Sequence, residues 1–133
     1  PSNLSIIEDM GFSRREGRIE VSYTDYEKLD CLSMNLHDYL KVLKVGYGRA
    51  TDSISMEIRN GTITREEGVR LVERYEGKYP KECVERFCKE FQISKDMFDA
   101  YCTPFINQSL FVMDGSSIKR DIDGSFILKD KFI

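Results

Sequence analysis

Residues 36–61, LHDYLKVLKVGYGRATDSISMEIRNG, constrain the fold more than any other stretch. Leu36, Tyr39, Leu40, Leu43 and Tyr47 recur at i, i+3, i+4, i+7 and i+11, the repeat of one helix face. His37, Lys41 and Lys44 run beside that stripe. Gly46 and Gly48 then interrupt it, and glycine tolerates the left-handed turn that a helix C-terminus needs. A second helix is expected from about Arg49 to Arg59, closed by Asn60-Gly61. Arg49, Asp52, Met56 and Arg59 share one of its faces, and Ala50, Ile54 and Ile58 share another. Lys44 thus arrives at a glycine corner that Arg49 and Asp52 leave. Free backbone N–H groups beside fixed cations make such a corner a natural host for an anion. The plainer reading of the same charges is the solvated flank of a packed helix.

The rest of the chain sets the bounds. Its 133 residues suit one domain with a modest core, and 41% hydrophobic with 32% charged residues marks it as globular. A net charge of −3 argues against a general nucleic-acid binder, whose surface is strongly basic. No apolar run approaches the length of a membrane span, and residues 1–20 do not read as a signal peptide, so a cytoplasmic location is expected. Cys31, Cys83, Cys88 and Cys102 are scattered, without a Cys-x-x-Cys pair. With one histidine and no ligand spacing, no metal site is expected, and the thiols read as reduced, Cys88 in the core.

Taken in order, residues 1–23 read as an N-terminal connector and short helix. Asn3 or Ser5 would cap the helix, Ile6, Ile7 and Met10 would be its apolar side, and Gly11 its end. The start at Pro1 suggests continuation from a missing upstream domain. Ile19 to Tyr23 alternates like a short extended piece, and Thr24 would cap a helical turn through Leu29. Residues 24–109 read as the helical domain. Thr64-x-x-Glu67 is a capping box opening a helix from about Arg65 to Tyr75. Gly68 inside that helix costs about 1 kcal/mol against alanine, which a close helix crossing would justify. A helix from about Pro80 to Phe91 buries Val84, Phe87, Cys88 and Phe91, and Ser94 caps one more, stopped by Thr103-Pro104. Tyr39, Tyr47, Phe87, Phe91 and Phe98 are core by default. Residues 110–133 form a tail in which Asp123-Gly124, between two short runs, signals a two-residue hairpin turn. The expected fold is mainly α: a small bundle of about five helices with a short C-terminal β-hairpin.

The ordered string His37-x-Tyr39, Lys44-x-Gly46-Tyr47-Gly48-Arg49-Ala50-x-Asp52, Ser55-x-x-Ile58-Arg59-Asn60-Gly61 and Thr64-Arg65-Glu66-Glu67 resembles the C-terminal region of the N-acetyl sugar amidotransferases, in the PP-loop ATP pyrophosphatase group. The likeness is strongest from about Leu29 to Val72. The ending, Ile118-Lys119-Arg120 to Phe126, is similar to that family's tail. The resemblance implies a reaction. ATP activates the oxygen of a sugar's acetamido group as an adenylate, and ammonia from a glutaminase subunit displaces AMP to leave an acetamidino group. It also implies a nucleotide-linked N-acetyl sugar as substrate and a role in bacterial lipopolysaccharide or flagellar glycan synthesis. The Ser-Gly-Gly-x-Asp-Ser loop that would cradle the pyrophosphate does not occur in this chain. ATP is therefore expected mainly on a missing N-terminal ATP-binding domain, and this piece is expected to be inactive alone.

With that resemblance, Lys44 and Arg49 become the first choice for phosphate or carboxylate contacts, alongside the backbone of Gly46 and Gly48. Asp52 would either hold Arg49 or accept from a sugar hydroxyl. Arg59 could reach the same ligand or make a structural pair. His37 would bond substrate or move a proton as ammonia attacks; its plainer reading is a surface histidine. The competing reading is a small helical interaction module that docks a partner such as the glutaminase and touches no substrate. A third is an independent small-molecule or regulatory domain. If an ATP-binding half is missing, bare apolar area and self-association are expected.

Overall fold

The glycine corner forms as its sequence requires. Helix α2 (Met34–Val45) ends at Gly46, whose φ of 83° is left-handed and whose N–H donates to Val42 O at 2.8 Å. Helix α3 (Arg49–Arg59) begins directly after Gly48. The computed structural model describes residues 2–16, 22–27, 31, 33–120, 122 and 126–129. Among these, α1 (Ser2–Asp9), α4 (Arg65–Tyr75), α5 (Lys81–Glu90) and α6 (Lys95–Cys102) complete the helices. A 3-10 turn (Thr103–Phe105) follows α6, and β1 (Met113–Asp114) pairs antiparallel with β2 (Ser117–Ile118). The fold is mainly α with a short C-terminal hairpin.

Helix α2 is the central element because it is apolar on more than one side. Leu36, Tyr39 and Leu43 pack with Cys83 and Val84 of α5 and with Phe98 and Cys102 of α6. Val42 lies against the corner, where a Cβ placed on Gly48 would come within 2.8 Å of its Cγ2. On α3, Ala50 and Ile54 are 1% exposed, the face their spacing requires. Gly68 of α4 explains itself at this crossing. A Cβ there would meet Ile58 Cδ1 at 2.6 Å and Ile54 Cγ2 at 3.0 Å, so only glycine lets α3 and α4 approach this closely. The Thr64–Glu67 capping box is complete in both directions, and Ser94 Oγ accepts from Met97 N–H at 3.1 Å. Each supplies an acceptor to a helix-end N–H that has no partner within the helix.

Several expectations are corrected. Helix α1 begins at Ser2, so Asn3 and Ser5 lie inside it rather than capping it, and Ile6, Ile7 and Met10 are exposed. Residues 25–27 form bends rather than the first part of the expected helical turn. There Thr24 N–H donates to Ser22 Oγ and Thr24 Oγ1 donates to Glu27, local side-chain bonds that compete with a helix. Tyr47 is exposed because the helix has already ended at Gly46; its ring lies 4.6 Å from Lys41 Nζ instead. Phe91 is exposed because it is the C-cap of α5, stacked on Phe87 at the surface. Cys83 and Cys102 are more deeply buried than Cys88, which packs against the core from its edge.

The hairpin turns at Gly115-Ser116, where Gly115 has φ 62°. The Asp114-Gly115 pair carried the same signal as Asp123-Gly124. The latter turn lies outside the described residues, as do Ile19 to Val21 and the end of the expected turn at Leu29. Bridges Arg120↔Phe126 and Phe111↔Leu128 set residues 126 and 128 antiparallel to residues 120 and 111. Phe111, fully buried, fixes this tail to the body with Phe126, ring to ring at 5.3 Å. No helix among the described residues is long and apolar enough to cross a membrane.

Candidate functional site

Two places on α2 carry polar groups that could serve a ligand: the glycine corner, and a cleft on the opposite flank. At the corner Arg49 turns back toward α2. Its Nε donates to Asp38 Oδ2 at 2.7 Å and its Nη2 to Asp38 Oδ1 at 3.2 Å, a fork that fills both carboxylate oxygens. The Asp38 side chain is only 7% exposed, and the hydrogen bond to it pushes the Arg49 pKa up. His37, largely exposed, has Nδ1 3.4 Å from Asp38 Oδ1. Asp52 pairs with Lys41 of α2 at 2.6 Å. The structure therefore gathers His37 and Arg49 around Asp38 at the α2–α3 junction, with Asp52 beside them in a separate pair with Lys41. Lys44 goes elsewhere, its Nζ 5.0 Å from the Phe105 ring centroid. Arg59 is exposed in the last turn of α3, away from the corner.

The anion expected at this corner is supplied by the chain itself. Glu76, the C-cap of α4, reaches across to the start of α3. Thr51 N–H and Oγ1 donate to Glu76 Oε2 at 2.8 Å and 2.7 Å. Gly48 lies close to the same carboxylate, and its N–H favours the charged form. Burial raises the Glu76 pKa from its ordinary value, and the Thr51 bonds and the nearby Gly48 N–H oppose that rise. Gly48 has to be glycine here, because a Cβ would stand 2.4 Å from Glu76 Oε1. Free N–H groups at a helix start do attract an anion, and in this fold that anion is internal.

The cleft opens between α2, α6 and the hairpin, with a volume of about 410 Å³. Tyr39, Tyr79 and Phe126 form its aromatic wall, and Lys95, Asp99 and Arg120 its charged groups. Arg120 Nη2 donates to Tyr39 Oη at 3.2 Å, and its guanidinium lies 4.2 Å from the Phe126 centroid. Tyr79 Oη donates to Asp99 Oδ1 at 3.2 Å, and Lys95 Nζ stands 5.0 Å from the Tyr79 centroid. Burial pushes the Tyr39 hydroxyl up to about 12, and burial with Asp99 raises Tyr79 likewise, so both keep their protons at neutral pH. Cys102 lines the floor with its thiol pushed up to about 11 by burial, which leaves it a poor nucleophile. The cleft is equipped to bind rather than to attack.

Periodicity alone missed Asp38, Glu76 and this cleft. Asp38 sits four residues before Val42, on the side of α2 that faces α3, and an acid on an inward face was the available signal. Glu76 and Arg120 become neighbours of the site only through long-range packing. No group of metal-ligating side chains occurs among the described residues. At the corner the Thr51 amide, in the first turn of α3, is already taken by Glu76.

These features define a mainly α domain with a ligand-sized polar cleft and an internally satisfied helix start. By sequence the chain belongs to the family described as LPS biosynthesis protein WbpG-like, C-terminal domain, whose model matches residues 20–121. The matched span runs through α2–α6 and the hairpin, and it contains the whole of the motif string from His37 to Glu67. A search of the curated proteins returned no match to the chain.

Proposed function

We propose that this chain is the C-terminal helical part of an ATP-dependent N-acetyl sugar amidotransferase acting in the cytoplasm on a nucleotide-linked N-acetyl sugar. The observation that carries this reading is the family match over residues 20–121, taken with the ordered motif string. The reaction replaces the acetamido oxygen with nitrogen, and a glutaminase partner supplies the ammonia. ATP belongs to an upstream PP-loop half, because the residues here do not fit it; this chain completes the sugar side. His37 at the corner and Lys44 beside Phe105, both solvent-facing, are the groups of α2 that meet substrate. Gly46, Gly48 and the Arg49–Asp38 fork hold the corner's shape, and the Lys41–Asp52 pair extends its polar rim; Arg59, at the far end of α3, is left out of the site.

The test is turnover of the full-length enzyme with ammonia supplied directly. Lys44→Ala and His37→Ala lower turnover in a protein that still folds; unchanged turnover removes both roles. Arg49 is tested together with Asp38, as Asp38→Leu with Arg49→Met, because removing either alone strands a buried charge. A second reading, a docking module for the glutaminase, is favoured by one observation. Tyr101 and Phe105 stand 61% and 52% exposed at the end of α6. Under that reading Phe105→Ser abolishes glutamine-dependent but not ammonia-dependent turnover.

A further inference from the structure

The buried carboxylate of Asp38 touches the exposed ring of His37, and the contact discriminates between the two tautomers of that ring. His37 is the only histidine of the chain, and its side chain is 67% exposed against 7% for Asp38. Neighbouring residues on a helix point about 100° apart, which lets one face solvent while the next faces α3. Asp38 Oδ2 accepts from Arg49 Nε at 2.7 Å, and Asp38 Oδ1 accepts from Arg49 Nη2 at 3.2 Å. A carboxylate in that fork can only accept again. His37 Nδ1 stands 3.4 Å from Oδ1, long for a hydrogen bond but close enough for the sign of the contact to matter. With a proton on Nδ1 the two groups attract; with a lone pair there, two acceptors oppose each other. A neutral imidazole has one N–H and one lone pair, so a proton on Nδ1 leaves the lone pair on Nε2. No described residue takes Nε2.

We propose that Asp38 is a positioning residue for His37: it holds the ring as its Nδ1–H tautomer and so makes Nε2 a proton acceptor open to solvent. An unconstrained surface histidine carries its proton mostly on Nε2 and would meet a ligand as a donor. The tautomer therefore decides between the two uses left open for this side chain, a bond donated to substrate or a proton taken from it. The second use rests on the amidotransferase reading. As the ammonia nitrogen bonds to the activated carbon it gives one proton to Nε2, and the C–O bond breaks with its electron pair leaving on AMP. The exposed ring then returns that proton to water. The Arg49–Asp38 fork gains a task beyond the corner's shape, because Arg49 orients the carboxylate that orients the ring.

The experiment records the ring nitrogens of the 133-residue chain, isotope-labelled and free of any histidine tag, by long-range proton–nitrogen correlation. The pH is set well above the ordinary imidazole range, so that the ring is neutral. One histidine gives one pair of nitrogen signals, and no assignment is needed. The reference is a blocked histidine peptide in the same buffer. A hydrogen bond of ordinary net strength moves the tautomer ratio of the native chain about fivefold toward Nδ1–H relative to that peptide. In Asp38→Leu with Arg49→Met, which leaves neither charge buried without its partner, the ratio returns to the peptide's, and the amide spectrum checks that the variant folds. A native ratio equal to the peptide's overturns the proposal, whether or not the variant folds. So does a folded variant that keeps the native ratio. The ring spectrum involves no substrate, so its failure leaves the amidotransferase reading standing, and an enzyme without turnover leaves the tautomer standing.

Discussion

Glu76→Ala empties the start of α3 of its own anion. The change removes the acceptor for the Thr51 N–H and hydroxyl, and the negative charge beside the Gly48 N–H. A donor left without a partner costs about 1–3 kcal/mol. The hydroxyl can turn to another acceptor and water can enter this half-buried spot, so the expected loss is about 2–3 kcal/mol. For a chain of this size that lowers Tm by about 10 °C. The vacated space should then admit a small external anion. Acetate at about 100 mM, with a Kd on the order of 10 mM, would restore about 1.4 kcal/mol. Thermal unfolding followed by circular dichroism, in acetate and in chloride at equal ionic strength, reads both effects. Glu76→Gln probes the charge. Because the folded pKa of Glu76 is raised, its contribution to stability is full below the unfolded pKa and is lost as pH rises through the folded value. The variant should therefore gain on the native chain as pH rises from the ordinary carboxylate value through the raised folded pKa. A Glu76→Ala protein as stable as the native one, or one indifferent to acetate, would refute the claim that this carboxylate satisfies the helix start.

Three further outcomes follow from the packing. Arg49→Ala strands the buried Asp38 carboxylate and costs about 3 kcal/mol in urea unfolding, while Asp38→Leu with Arg49→Met costs markedly less than the two single losses together. Gly68→Ala gains helix propensity but drives a methyl into Ile58 and Ile54, a net loss of about 1–2 kcal/mol; a stabilised variant would mean that α3 and α4 do not cross this closely. Thiol labelling at neutral pH modifies the exposed Cys31 first, with Cys83 and Cys102 protected until unfolding.

What could be read from the sequence was local. The Gly46 left-handed cap, the Thr64–Glu67 box, the Ser94 cap and the reason for Gly68 each depend on residues a few positions apart or on one helix face. The errors share the opposite cause. Tyr47 continued the stripe on paper, but the helix stops one residue before it at Gly46. Phe91 sat at the right spacing yet fell on a C-cap. At the corner, the inference that an anion belongs there was sound chemistry, but no local pattern revealed that Glu76 would arrive from twenty-five residues beyond Thr51. The cleft was less legible still. Tyr39 and Arg120 are eighty-one residues apart, and only the return of the tail along Phe111 and Phe126 brings them into contact.

The account stands or falls on whether this domain forms the sugar side of an amidotransferase. The most direct measurement follows nitrogen from isotopically labelled ammonia into the sugar product, made by the full-length enzyme with ATP and a nucleotide-linked N-acetyl sugar. The native enzyme should place the label in an acetamidino group, and Lys44→Ala should raise KM or lower kcat while ATP binding is unchanged. An unlabelled sugar, or full activity after residues 24–109 are deleted, would contradict it.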